Sequence, residues 1–214
     1  MTDEGGADPE AILEAKRCAG RISDDDECSF LRPSPEALLE MSRCAQFRTD
    51  MPPGILGDQP FRVDPELRSL AQVTEQEESV IADVGAQVRS ELKAEIEPLF
   101  AQLELDGEPR TMSVEALVDA IQERRTVGPI DQDRRAERNA GRRAISRARA
   151  GLDPGVSPST PAARLEFILA ELGDRFERAL ASELGAERAD ELRSAADGWG
   201  DRGVFAGRCE DDEL

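Results

Sequence analysis

The sequence predicts an all-α fold, with long amphipathic helices packed as an irregular bundle and a cysteine-containing helical appendage at the N-terminus. Three observations predict it. Thr74 to Leu103 carries Val80, Ile81, Val84, Val88, Leu92 and Ile96 at three- and four-residue steps, the spacing of one helix face. Thr160 to Leu180 repeats the pattern with Leu165, Ile168, Leu169, Leu172, Phe176, Ala179 and Leu180. Strict alternation is absent and β-branched residues are few, so no strand is expected.

Taken in order, Asp8-Pro9 supplies N-cap and N1 for a first helix running to about Gly20. Ser23 to Glu27 reads as a solvated acidic loop. Asp24 to Glu27 and Asp197 to Asp201 hold oxygen ligands but lack the spacing and central glycine of a calcium loop. Ser34-Pro35 starts a second helix that directs Leu38, Leu39, Met41 and Cys44 to one side. Met51 to Pro60, with three prolines and two glycines, is an ordered loop and the best internal boundary. It divides an acidic appendage (1–60) from a helical body (61–214). Thr74 and Glu77 form a capping box for the long helix, about 34 Å long up to Glu97. Pro98 then marks an expected kink. Ser113 caps a helix ending before Gly128-Pro129. Asp131 to Ala150 is basic, and Gly151 to Ser159 is a loop. The second strong helix is expected beside the long one, ending or bending at Gly185. Trp199 is expected as a buried plug in the turn before the acidic tail.

Composition bounds the function. The 214 residues carry a net charge of −19 and contain no histidine and no tyrosine. Without histidine there is no triad of the usual kind, no histidine base and no histidine metal ligand. No pair of carboxylates stands out by spacing either. No catalytic residue, metal ligand or cofactor site is therefore assigned, and the chain is read as not an enzyme. Met1 is followed by neither a basic segment nor an apolar one, so no signal peptide is expected in this sequence, and no stretch is long enough to span a bilayer.

The four cysteines, Cys18, Cys28, Cys44 and Cys209, are even in number, widely spaced and free of any CxxC. They predict two disulfides in three alternative pairings, and hence a periplasmic or extracellular location. Unpaired thiols would instead place the chain in the cytoplasm.

One segment opposes the acidic field. Residues 111–150 hold 9 basic and 6 acidic side chains. Arg134, Arg135, Arg138, Arg142 and Arg149 fall within an arc of about 100° on one helix. Guanidinium forks suit phosphate and carboxylate, so this face is a candidate for binding a partner, an anion or nucleic acid. The competing expectation is that it pairs with the chain's own acids. Overall acidity and few aromatics disfavour nucleic acid.

Residues 64–197 resemble the periplasmic Spy/CpxP-type helical chaperones and metal-stress sensors, with Val73-Thr74-Glu75-Gln76 standing where those have LTxxQ. The histidine ligands of the metal-sensing members are missing here. Cys28-Ser29-Phe30-Leu31, Ser42-Arg43-Cys44 and the ending from Gly198-Trp199-Gly200 to Cys209 are similar to uncharacterised exported helical proteins of myxobacterial type. The likeness to exported proteins bears on compartment and not on activity; the absent histidine, the even cysteine count and the amphipathic helices lead to the expectation of a non-catalytic exported protein that binds another protein as a chaperone, sensor or assembly factor. Self-association stays open.

Overall fold

A computed structural model describes residues 35–63, 65–126, 132–195, 199 and 201–205. The helix expected from Asp8 to Gly20, the acidic loop Ser23–Glu27, Cys18, Cys28, Cys209 and the helix end at Gly128-Pro129 lie outside them. Among the described residues the chain is mostly helical. In order come α1 (Pro35–Arg43), β1 (Phe47–Met51), α2 (Pro65–Leu70), α3 (Glu75–Ala101), a 3₁₀ turn (Pro109–Thr111) and α4 (Val114–Thr126). Then follow α5 (Gln132–Arg149), α6 (Pro161–Ala170), α7 (Leu172–Leu184), α8 (Ala186–Ala195) and β2 (Asp201–Phe205).

Helix α3 is the axis. The Thr74 side chain accepts the Glu77 N–H at 3.2 Å, and the Thr74 N–H donates back to the Glu77 carboxylate at 2.8 Å. Ile81, Val84, Val88, Leu92 and Ile96 are buried on one face, where α4, α6 and α7 pack. The helix runs on through Pro98 to Ala101. Only the last turn follows Pro98, so a proline there interrupts little of the ladder.

The second strong segment is two helices, not one. Thr160 caps α6, accepting the Ala163 N–H at 3.2 Å. Glu171 then ends α6 and begins α7. Both pack on α3, and Gly185, at φ +89°, ends α7.

The expectation of no strand is corrected. β1 and β2 form an antiparallel ladder in which Phe47 faces Phe205 and Met51 faces Asp201. β1 is covered by α5, α6 and α7, and Phe47, Thr49 and Asp50 are all buried. A strand buried on both faces shows no alternation, which is why the pattern is absent.

The boundary at residue 60 cuts through the core for residues 35–63. Ile55, Phe61 and Val63 share one apolar cluster with α3, α4, α6, α7 and α8. The Pro/Gly loop is held by Arg89 of α3, which donates to the carbonyls of Gly54 at 2.8 Å, Ile55 at 3.0 Å and Gln59 at 2.7 Å. Phe61 lies directly on Gly85 of α3, where a Cβ would meet the ring's Cγ at 2.3 Å. Gly85→Ala is therefore expected to destabilise by about 1–3 kcal/mol through overpacking, although alanine is the better helix former by about 1 kcal/mol. Urea unfolding checks the sign. A gain in stability would mean that the ring yields freely.

Cys44, the one cysteine among the described residues, is disulfide-bonded, and its partner lies outside them. No described helix is long and apolar enough to cross a membrane.

Candidate functional site

The basic helix turns much of its charge inward. Asn139, Arg142, Ala144, Ile145 and Ser146 of α5 are buried against α1, α6 and β1. The Ser146 hydroxyl donates to the carbonyl of Gln46. Arg142 pairs with Glu166 of α6 at 3.6 Å, both side chains being 8% exposed. Arg149 pairs with Asp174 of α7 at 3.4 Å. Two of the five arginines assigned to a partner thus have acids of this chain as neighbours. Arg138 is half-buried on the same side. Arg134 and Arg135 belong to α5, but their side chains lie outside the described set.

A second site was not anticipated. Arg193 of α8 is 3% exposed. Its Nε and Nη2 donate to Asp50 Oδ2 at 3.0 and 2.7 Å. Its Nη1 donates to Asp174 Oδ1 at 3.0 Å and to the Glu177 carboxylate. Asp50 Oδ1 accepts the backbone N–H of Trp199 at 2.6 Å. Burial alone would lower the Arg193 pKa, but the attraction of Asp50, Asp174 and Glu177 outweighs it and raises the value. Gly173 makes the junction possible, because a Cβ there would stand 2.2 Å from the Asp50 carbonyl oxygen. Trp199, 2% exposed, meets Phe176 edge-on at 4.9 Å. The hub thereby ties β1, α7 and α8 to one another and to the backbone at Trp199. One signal was available: Arg193 follows Ala189 by four residues and so shares its inward face.

A third cluster joins α8 to the start of α3. Arg188 Nε donates to Glu77 Oε1 at 2.7 Å, and its Nη2 to the Ala71 carbonyl at 2.9 Å. The bond from Arg188 and those from Thr74 together hold the Glu77 carboxyl down to about 2, from an ordinary 4.5. A depressed carboxylate stabilises the fold above its unfolded pKa, and that stability drains as pH falls through the folded value. Glu77→Gln is therefore expected to be the less stable protein by about 1–2 kcal/mol at pH 6, allowing for partial exposure. The gap should close between pH 4.5 and 2, as read by urea midpoints across that window. A pH-independent gap would assign the loss to shape instead of charge.

On the surface, the loop after α5 is ordered by its own hydrogen bonds. Gly151, at φ +75°, donates to the Ala148 carbonyl and Leu152 to that of Arg147, both at 3.0 Å. This is a Schellman ending. Arg147 Nε holds the Asp153 carbonyl at 2.9 Å, and the Asp153 side chain accepts the Gly155 N–H at 2.9 Å. The residue after such a glycine commonly packs back on its helix, yet Leu152 is 42% exposed and Val156 47%. Only Leu39 joins them as an exposed large apolar side chain among the described residues.

Chemically, the hub carboxylates already face arginines or a backbone N–H. Among the described residues no three His, Cys, Asp or Glu side chains are grouped to hold a metal ion. No protein-family model, curated protein or solved structure matches the chain.

Proposed function

We propose that this chain is a non-catalytic helical protein of an oxidising compartment outside the cytoplasm that binds another protein. The observation that carries the binding reading is the loop 151–159. Hydrogen bonds at Gly151, Leu152, Asp153 and Gly155 fix its first half, yet Leu152 and Val156 stand in water. An ordered loop on a rigid scaffold is where binding residues concentrate, and preformed apolar tips lose little entropy on docking. The bonded state of Cys44 supports the compartment, since disulfides persist where the medium is oxidising. A chaperone, sensor or assembly-factor role of the Spy/CpxP kind fits this reading. The inward pairing of Arg142 and Arg149 weighs against anion or nucleic-acid binding through α5.

The test compares the wild type with Leu152→Asp/Val156→Asp in a cross-linked pull-down from the native host. The wild type is expected to capture a protein that the double variant loses. Stability should stay within about 0.5 kcal/mol, as for surface changes. Equal capture by the variant would overturn the loop's role. A mobility shift with RNA or DNA at low salt would favour the basic helix instead.

A further inference from the structure

We infer that the loop 151–159 takes a short acidic segment of its partner, with aliphatic side chains against Leu152 and Val156 and carboxylates on Arg147 and Arg164. The inference rests on the binding role proposed for that loop and names the partner's chemistry. Acids outnumber bases 46 to 27 in this chain, and many of its arginines use them. Arg142 meets Glu166, Arg149 meets Asp174 and Arg175 meets Glu95. Arg147 and Arg164 do otherwise. Each gives its Nε to a loop carbonyl, that of Asp153 at 2.9 Å and that of Pro158 at 3.3 Å. Among the described residues neither is paired with an acid. A guanidinium carries five N–H donors, so the Nη edge of each can still take a carboxylate in the bidentate manner. The two arginines are thus fixed by the loop they flank and aimed by it.

Leu152 and Val156 stand between them in the chain, and Asp153 is the one acid from residue 147 to residue 164. Its side chain is already engaged with the Gly155 N–H. The patch is therefore apolar at its tips and cationic at its flanks. The tips are four residues apart, at most about 14 Å, which about five residues of an extended segment span. So small a patch suits a segment better than a domain face, which buries about 800 Å² per side in a stable interface. An anionic bilayer also offers negative charge above an apolar phase. A bilayer, however, meets the whole field of a chain at −19. A short segment meets only charges within about 8 Å, the screening length in physiological salt.

Two fluorescein-labelled peptides share the same leucine positions, with glutamate filling the rest of one and serine the rest of the other. Both are titrated with full-length protein and read by anisotropy. The wild type is expected to bind the glutamate peptide about tenfold tighter than the serine peptide, a gap in affinity that its overall charge opposes. Arg164→Glu should abolish that preference, and Arg164→Lys should keep part of it. Loss of loop shape alone would weaken both peptides together, so the ratio reports charge. If Arg164→Glu lowers the urea midpoint, Arg164→Gln takes its place. Equal binding of the two peptides, lost in Leu152→Asp/Val156→Asp, would overturn the inference and leave the loop's binding role standing. A preference unchanged in Arg164→Glu would overturn it as well. So would binding of neither peptide up to about 1 mM, and capture by phosphatidylglycerol vesicles in that case would assign the patch to a membrane.

Discussion

Arg193→Ala is expected to lower the unfolding free energy by about 3–5 kcal/mol, the usual cost of removing one partner from a buried charge cluster. Three carboxylates, Asp50, Asp174 and Glu177, converge on this guanidinium. Its removal leaves Asp50 buried with only the Trp199 N–H, and Arg149 alone against Asp174. The loss reaches beyond α8, because Asp50 belongs to β1 and its second oxygen fixes the backbone at Trp199. Arg193→Lys should recover part of the loss but not all of it. An ammonium carries the charge without the planar fork that serves Asp50 on one side and α7 on the other. Urea unfolding of both variants provides the measurement. A cost below about 1 kcal/mol for the alanine variant would mean that water replaces the guanidinium and that the hub is not a closed site.

What was legible in the sequence is local. The capping box at Thr74 and Glu77 and the apolar faces of α3 and α7 depend on residues three and four apart, and they appear as expected. What was missed is non-local. Phe47 and Phe205 pair across more than 150 residues. Phe-Arg-Thr-Asp-Met carries no alternation to mark a strand covered on both faces. The same limit governs charge. Arg142 lies on the arc that looks like a solvent-facing cation stripe, but that arc also contains the contacts α5 makes with α6 and β1. Only the position of Glu166 on α6 reveals it as a buried partner. Arg193 was hidden for the same reason, since its acids lie on β1 and α7. Gly85 and Gly173 are the subtler signals. Glycine inside a helix disfavours it by about 1 kcal/mol relative to alanine, and both stand where another backbone or ring approaches too closely for a Cβ.

Phe176→Ala is expected to cost about 3–5 kcal/mol, the range for deleting a buried aromatic ring. The ring is 1% exposed and lies between two others. Phe61 is tilted against it at 5.4 Å, and Trp199 meets it edge-on at 4.9 Å. Both neighbours are held elsewhere, Phe61 against Gly85 and the Trp199 backbone by Asp50, so the walls have little freedom to collapse into the space. A site that does not collapse keeps its cavity and the larger penalty. Trp199 is the chain's one tryptophan, so its emission reports the site directly. A red shift is expected in the folded variant as water reaches the indole. Trp199 also joins this site to the ion hub, which predicts coupling. Phe176→Ala combined with Arg193→Ala should fall short of the summed losses by about 1 kcal/mol, within the range for residues that share a partner. Strict additivity, with unshifted emission, would show that the aromatic stack and the hub hold the molecule independently. A single-variant loss under about 1 kcal/mol would instead be a surface-like value and would remove Phe176 from the core.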